Sequence, residues 1–177
     1  MSIWGKLLAG TFGFALGGPI GAMLGVIAGH SVDRIRNQKS DSNIASNSPQ
    51  EIITIGIIIL AAKLAKADGQ VTTDEISAFK EKFKIPPDFQ SDVSKIFNEA
   101  KKNSDDYHQY AQQIGMLFRG QPQVLEQILN LLFYIAEADG EISDSEIVFI
   151  QNCSDYFGLN KAQYELSLIH ISEPTRL

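Results

Sequence analysis

The sequence predicts an all-α protein, with an N-terminal apolar helix of membrane-spanning length followed by a helical bundle built on an internal repeat. Three observations carry this. One segment occurs twice. Apolar residues recur at three- and four-residue spacing through most of residues 49–165, and no stretch alternates with period two for long enough to be a strand. Residues 7–29 contain no charged side chain.

The first copy of the repeat ends Ala65-Lys66-Ala67-Asp68-Gly69-Gln70-Val71-Thr72-Thr73-Asp74-Glu75-Ile76. The second ends Ala136-Glu137-Ala138-Asp139-Gly140-Glu141-Ile142-Ser143-Asp144-Ser145-Glu146-Ile147. Each reads as a helix that stops at glycine, turns and restarts. Glycine enters the left-handed cap conformation without a Cβ clash. Thr72 with Glu75, and Ser143 with Glu146, are spaced as capping boxes for the new helix. Two such units point to a pseudo-symmetric core.

The chain has 177 residues, enough for one buried domain plus an appendage. Residues 1–40 carry four basic side chains against one acidic, whereas residues 41–165 carry ten against nineteen. An acidic body argues against nucleic acid as a partner, because phosphate binding needs clustered Lys and Arg. The lone Cys153 excludes an internal disulfide, suits a reducing compartment and reads as a buried filler.

Taken in order, residues 1–36 read as a glycine-rich membrane anchor. The run has the roughly 20 apolar residues that a helix needs to cross a bilayer core. Gly13, Gly17, Gly21, Gly25 and Gly29 recur every four residues, and on a helix they form a smooth stripe for self-association with a second copy. Trp4 and the Arg34, Arg36 and Lys39 cluster flank the run as interfacial anchors, and the excess of cations on the C-terminal side puts the body in the cytoplasm. Two arrangements compete with a single span. A cleaved signal peptide calls for a stronger basic start and a shorter apolar core. A helical hairpin would break at Gly17-Gly18-Pro19, where the proline removes a hydrogen bond. The glycines do not form a nucleotide loop, since no Gly-Lys-Ser/Thr follows them and no strand precedes them.

Residues 37–48 are polar, small and aperiodic, and read as a flexible linker. Ser48, Pro49 and Glu51 then start the body with a capping box and a proline at the first helical position. The uncharged residues 52–62 are too few before Lys63 and Lys66 for a second span, and read as a central buried helix. A helix over about residues 73–83 presents Ile76, Phe79 and Phe83. Pro86 and Pro87 separate it from one carrying Phe89, Val93, Ile96 and Phe97. A helix from Asp105 carries Tyr107, Tyr110, Ala111, Ile114 and Leu117 and closes at Gly120. The next, from about Pro122, carries Val124, Leu125, Ile128, Leu132 and Ile135. Another carries Ile147, Ile150, Cys153 and Phe157 with Gly158 as its cap, and Asn160 starts a last helix that the domain barely enters. The body therefore holds about seven helices.

The turns also resemble half of a calcium loop, since Asp68-Gly69 with Glu75, and Asp139-Gly140 with Glu146, match its second half. The oxygen ligands needed at loop positions one and three are missing, however. Leu64 and Lys66 stand there in one copy, Ile135 and Glu137 in the other, so this is not an EF-hand. A weaker divalent cation site, shared by Asp68, Glu75, Asp139 and Glu146 where the two turns meet, is the alternative to a purely structural role in turns and caps. Catalysis has less support. His30, His108 and His170 neighbour no nucleophile in a recognisable setting, and the chain reads as a non-enzyme.

These residues carry a family resemblance. Residues 49–165 resemble the TerB-like, or tellurite-resistance, domain, a seven-helix fold with the same Ala-Asp-Gly segment in two places. With Trp4-Gly5-Lys6, the glycine-rich run and the basic stop from Gly29 to Arg34 ahead of it, the arrangement resembles the N-terminal part of the DjlA family of membrane-anchored co-chaperones. The resemblance implies a single-pass bacterial inner-membrane protein that self-associates through its N-terminal helix and presents an interaction or regulatory domain to the cytoplasm. It also implies a C-terminal J domain that recruits DnaK. The J-domain His-Pro-Asp motif does not occur here, so this chain alone is not expected to stimulate DnaK. The alternative that the resemblance allows is a TerB-like metal-binding stress protein, with Asp68, Glu75, Asp139 and Glu146 as ligands. Residues 166–177 read as foreign. From Leu166 to Arg176 they translate one frame of a transposon-end sequencing adapter, so no role is expected for His170 or Glu173.

Overall fold

The computed structural model describes residues 17–29, 49–67, 69, 73–85, 87 and 90–172. Among these are eight α-helices and no strand: α1 (Gly18–Gly29), α2 (Pro49–Ala67), α3 (Thr73–Phe83), α4 (Gln90–Ala100), α5 (Tyr107–Leu117), α6 (Pro122–Ala136), α7 (Asp144–Phe157) and α8 (Lys161–Ser172). A 3₁₀ turn, Glu137–Asp139, follows α6. The seven helices expected of the body are α2 to α8. Gly13, the linker 37–48, Asp68 and Thr72 lie outside the described residues.

Helix α2 is the axis of the bundle, touching α4, α5, α6 and α7. Its sequence is apolar on every face, and a helix of that kind is stable only when surrounded. Every residue from Ile55 to Ala65 is accordingly buried, Lys63 included at 1% exposure. Gly56 serves packing, since a Cβ there would lie 2.7 Å from Cδ1 of Ile114 on α5. Around this axis α5 crosses α7, α8 covers α6, and α3 packs on α6 and the 3₁₀ turn.

Two faces are rotated from the sequence expectation. On α5 the inward set is Tyr110, Ala111 and Ile114, continued by Phe118 just past its end, while Leu117 is 42% exposed. On α7 Phe149 is buried beside Ile150, Cys153 and Phe157, and Ile147 lies on the rim. Both differences are one or two residues of helical phase, which spacing alone fixes loosely. Helix α8 runs to Ser172, much further than expected. Asn160 caps it, its Oδ1 accepting from the Gln163 N–H at 3.0 Å, and Tyr164 packs on Phe133 at 5.8 Å between ring centroids.

Of the N-terminal run, residues 1–16 lie outside the described residues. Gly17 and Gly18 have φ of +58° and +63°, and helix α1 begins at Gly18. The cause is local: a residue before proline is driven out of the helical region, and glycine takes the left-handed alternative. Gly17 therefore stands outside the helical stripe that the four-residue spacing assigns it. Twelve residues of helix span about 18 Å, short of the roughly 30 Å of a bilayer core. Among the described residues no helix is long and apolar enough to cross a membrane.

Candidate functional site

The second repeated turn is described in full at the backbone. Helix α6 tightens into the 3₁₀ turn, and Gly140 ends it at φ +96°, donating its N–H to the Glu137 carbonyl at 2.9 Å. The capping box then forms as the sequence predicts. The Glu146 N–H donates to Ser143 Oγ at 3.3 Å, and Glu146 Oε2 accepts from the Ser143 N–H at 2.9 Å and from its hydroxyl at 2.8 Å. Glu146 is only 4% exposed, so the cap holds a carboxylate that is nearly removed from water. Replacing Ser143 with alanine removes a cap acceptor and a donor to that carboxylate. The expected loss is about 1–2 kcal/mol of unfolding free energy, read from the urea midpoint.

The first turn has the same stop: Gly69 sits at φ +89° and donates its N–H to the Lys66 carbonyl at 2.9 Å. Helix α3 restarts at Thr73. Helix α3 packs on the 3₁₀ turn of the second copy. Asp74 and Glu81 of α3 face Glu137 and Gly140 across a shallow surface depression. Of the four candidate metal ligands, Asp68 lies outside the described residues. Glu75 belongs to α3 and Asp139 to the 3₁₀ turn, with their side chains outside the described residues. Glu146 is engaged by Ser143. Among the described residues no three acidic, histidine or cysteine side chains are grouped to hold a metal ion.

Sequence reasoning missed a buried ionic junction one helical turn before the first repeat's turn. The Lys63 ammonium donates to the carbonyls of Asn103 (2.6 Å) and Ala100 (3.2 Å) and to the Asp106 carboxylate, and lies 4.7 Å from the centroid of the Tyr110 ring. The two carbonyls are at and just past the C-terminal end of α4, where helical carbonyls lack intrahelical partners and a cation is favoured. Asp106 immediately precedes α5. One side chain of the central helix therefore ties the end of α4 to the start of α5. Burial, and then the Asp106 and Glu99 carboxylates, push the Tyr110 hydroxyl up to about 12. The signal available in the sequence was a lone cation inside an otherwise apolar, fully surrounded helix, which must carry its partners with it.

Helix α1 is held on α4 and α5 at its N-terminal end. Gln113 of α5 accepts the Ile20 N–H at 2.9 Å through Oε1 and donates to the Gly17 carbonyl at 3.1 Å through Nε2. Ile20 and Met23 enter the core, and Gly21 is buried. Cys153 is fully buried, and desolvation drives its thiol well above the ordinary range, so it lacks the character of a nucleophile.

Comparison with known proteins agrees with this architecture. Residues 54–167 match the family model for tellurite resistance protein TerB, and residues 1–48 match that for the co-chaperone DjlA transmembrane domain. Among curated relatives, the co-chaperone protein DjlA of Photobacterium profundum is 27% identical over 184 residues, covering 97% of this chain and 66% of its own length. That of Coxiella burnetii is 26% identical, with 91% of this chain and 64% of the relative covered. The Pectobacterium atrosepticum protein is 24% identical, with 99% and 62% covered. The chain thus spans a little under two thirds of the length of these relatives. No solved structure matches it. With the bundle from α2 to α8 coinciding with a match that takes up more than half of the sequence, the chain belongs to the TerB family and carries ahead of that domain the transmembrane segment typical of DjlA co-chaperones.

Proposed function

We propose that the chain is the anchor and helical module of a DjlA-type co-chaperone, single-pass in the bacterial inner membrane with its body in the cytoplasm. The observation that carries this is the order of the two family matches, anchor at 1–48 and TerB domain at 54–167, within relatives that align along 91–99% of this chain and are named co-chaperones. The anchor reading rests on that match and on the uncharged run, since residues 18–29 pack on the body. In this reading the module binds rather than catalyses, and DnaK is engaged through a J domain outside these 177 residues. The turn carboxylates act structurally, as the Ser143–Glu146 cap does, and a divalent cation at Asp68, Glu75 and Asp139 is the weaker reading. In this reading residues 166–177 are foreign in origin, on the strength of the adapter frame that Leu166 to Arg176 translate.

Two measurements test the anchor. The chain expressed in bacteria is expected in the carbonate-washed membrane pellet, and recovery from the soluble fraction with residues 1–30 intact refutes it. Leucine at Gly13 and Gly25 is expected to weaken self-association in a membrane reporter several-fold. Unchanged association removes the glycine stripe as the contact.

A further inference from the structure

Helices α3 and α4 leave between them a cleft of about 350 Å³. Its floor is apolar: Phe79 and Val93 are nearly inaccessible, and Phe97 meets Phe79 at 5.6 Å between ring centroids. Its rim is cationic, with Lys80 on α3, Lys84 just past the end of α3 and Lys101 just past the end of α4. Among the described residues no carboxylate lines the cleft. The neighbouring lysines are occupied, Lys95 by Asp92 at 2.8 Å and Lys102 by Glu99 at 2.6 Å, whereas the three rim lysines make no salt bridge with a described residue. In a chain of net charge −6, three cations without a described acidic partner around one apolar recess stand out from the rest of the surface. Lys84 is moreover held at φ +43°, an uncommon conformation for a residue with a Cβ.

We propose that this cleft docks an acidic amphipathic helix of a partner protein, with bulky apolar side chains entering between Phe79, Val93 and Phe97 and carboxylates meeting Lys80, Lys84 and Lys101. The rim fixes the kind of occupant. Lysines stand on both sides of the recess, which suits a rod lying along it with an apolar stripe inward and acids outward on both flanks. A flat anionic membrane surface would meet the lysines and leave the recessed rings unused. The complementary charge sets orientation and rate of encounter, and the buried anchors set the lifetime. This goes beyond the anchor-and-module reading and stands or falls separately from it.

The test titrates the full chain, in detergent micelles, into a fluorescein-labelled helix-forming peptide of leucines and glutamates arranged as an amphipathic helix, and follows fluorescence anisotropy. Saturable binding is expected. It should weaken about tenfold or more in the Lys84→Glu, Lys101→Glu double variant, whose changes lie on the rim outside the core. Ser94→Trp fills the exposed lip of the cleft and keeps all three lysines, so it should abolish binding where general charge attraction would survive. Circular dichroism checks that both variants fold. No saturable binding overturns the proposal, as does equal binding of a peptide with lysines in place of glutamates. Charge-dependent binding to phosphatidylserine vesicles without peptide binding also overturns it, in favour of a lipid surface.

Discussion

Replacing Lys63 with alanine is expected to cost about 3–5 kcal/mol and to lower the melting temperature on the order of 10 °C. The ammonium is 1% exposed and satisfies the carbonyl of the buried Ala100 as well as that of Asn103 and the Asp106 carboxylate. Its removal leaves these acceptors facing a cavity where the butyl stem lay, and the loss of a donor adds to the loss of packing. Asp106, 28% exposed, can turn towards water, but the Ala100 carbonyl cannot. The Lys63→Met, Asp106→Leu pair should recover the packing and ion-pair part of the loss, because apolar groups of similar volume can replace a buried ion pair, while the Ala100 carbonyl stays without its donor. Urea denaturation of the single and double variants decides the matter. A single-variant loss below about 1 kcal/mol would mean that the junction contributes little to stability.

A second large effect is expected at Gly115, where helix α5 crosses α7. A Cβ there would stand 2.4 Å from the Tyr156 carbonyl oxygen and 3.2 Å from the Phe157 Cα. Both neighbours are backbone, so no side-chain rotation relieves the clash and the helices must separate. Overpacking of this kind costs about 1–3 kcal/mol, more than the roughly 0.5–1 kcal/mol that alanine gains over glycine within a helix. Gly115→Ala is therefore expected to destabilise the chain, the reverse of what helix propensity predicts. Gly56→Ala provides the contrast, since its close neighbour at 2.7 Å is the tip of the Ile114 side chain, which can change rotamer. A smaller loss at Gly56 than at Gly115 in parallel thermal melts is the expected pattern. A gain in melting temperature for Gly115→Ala would refute the close crossing.

Local chemistry made much of the bundle legible in the sequence. Pro49 opens α2, Ser143 and Glu146 close the reciprocal cap, and Gly158 ends α7 at φ +74°, each at the position its own neighbours dictate. What stayed hidden depends on distant partners. Lys63 meets groups 37 to 43 residues away, and its apolar neighbours in sequence imply a buried partner without naming which. Helix α2 is apolar around its circumference, so its sequence names no inward face. The inward turn of Phe118 in place of Leu117 is likewise set by where α5 meets its neighbours. At the candidate site the caps were readable, whereas the packing of α3 on the second turn required the tertiary fold.

The grip of Gln113 on the Gly17 carbonyl and the Ile20 N–H also has a mechanical meaning. If the N-terminal segment is fixed to a support, a pull on it reaches α5 through the Gln113 amide and the core through Ile20 and Met23, and α5 in turn meets α7 where Gly115 abuts the Tyr156 backbone.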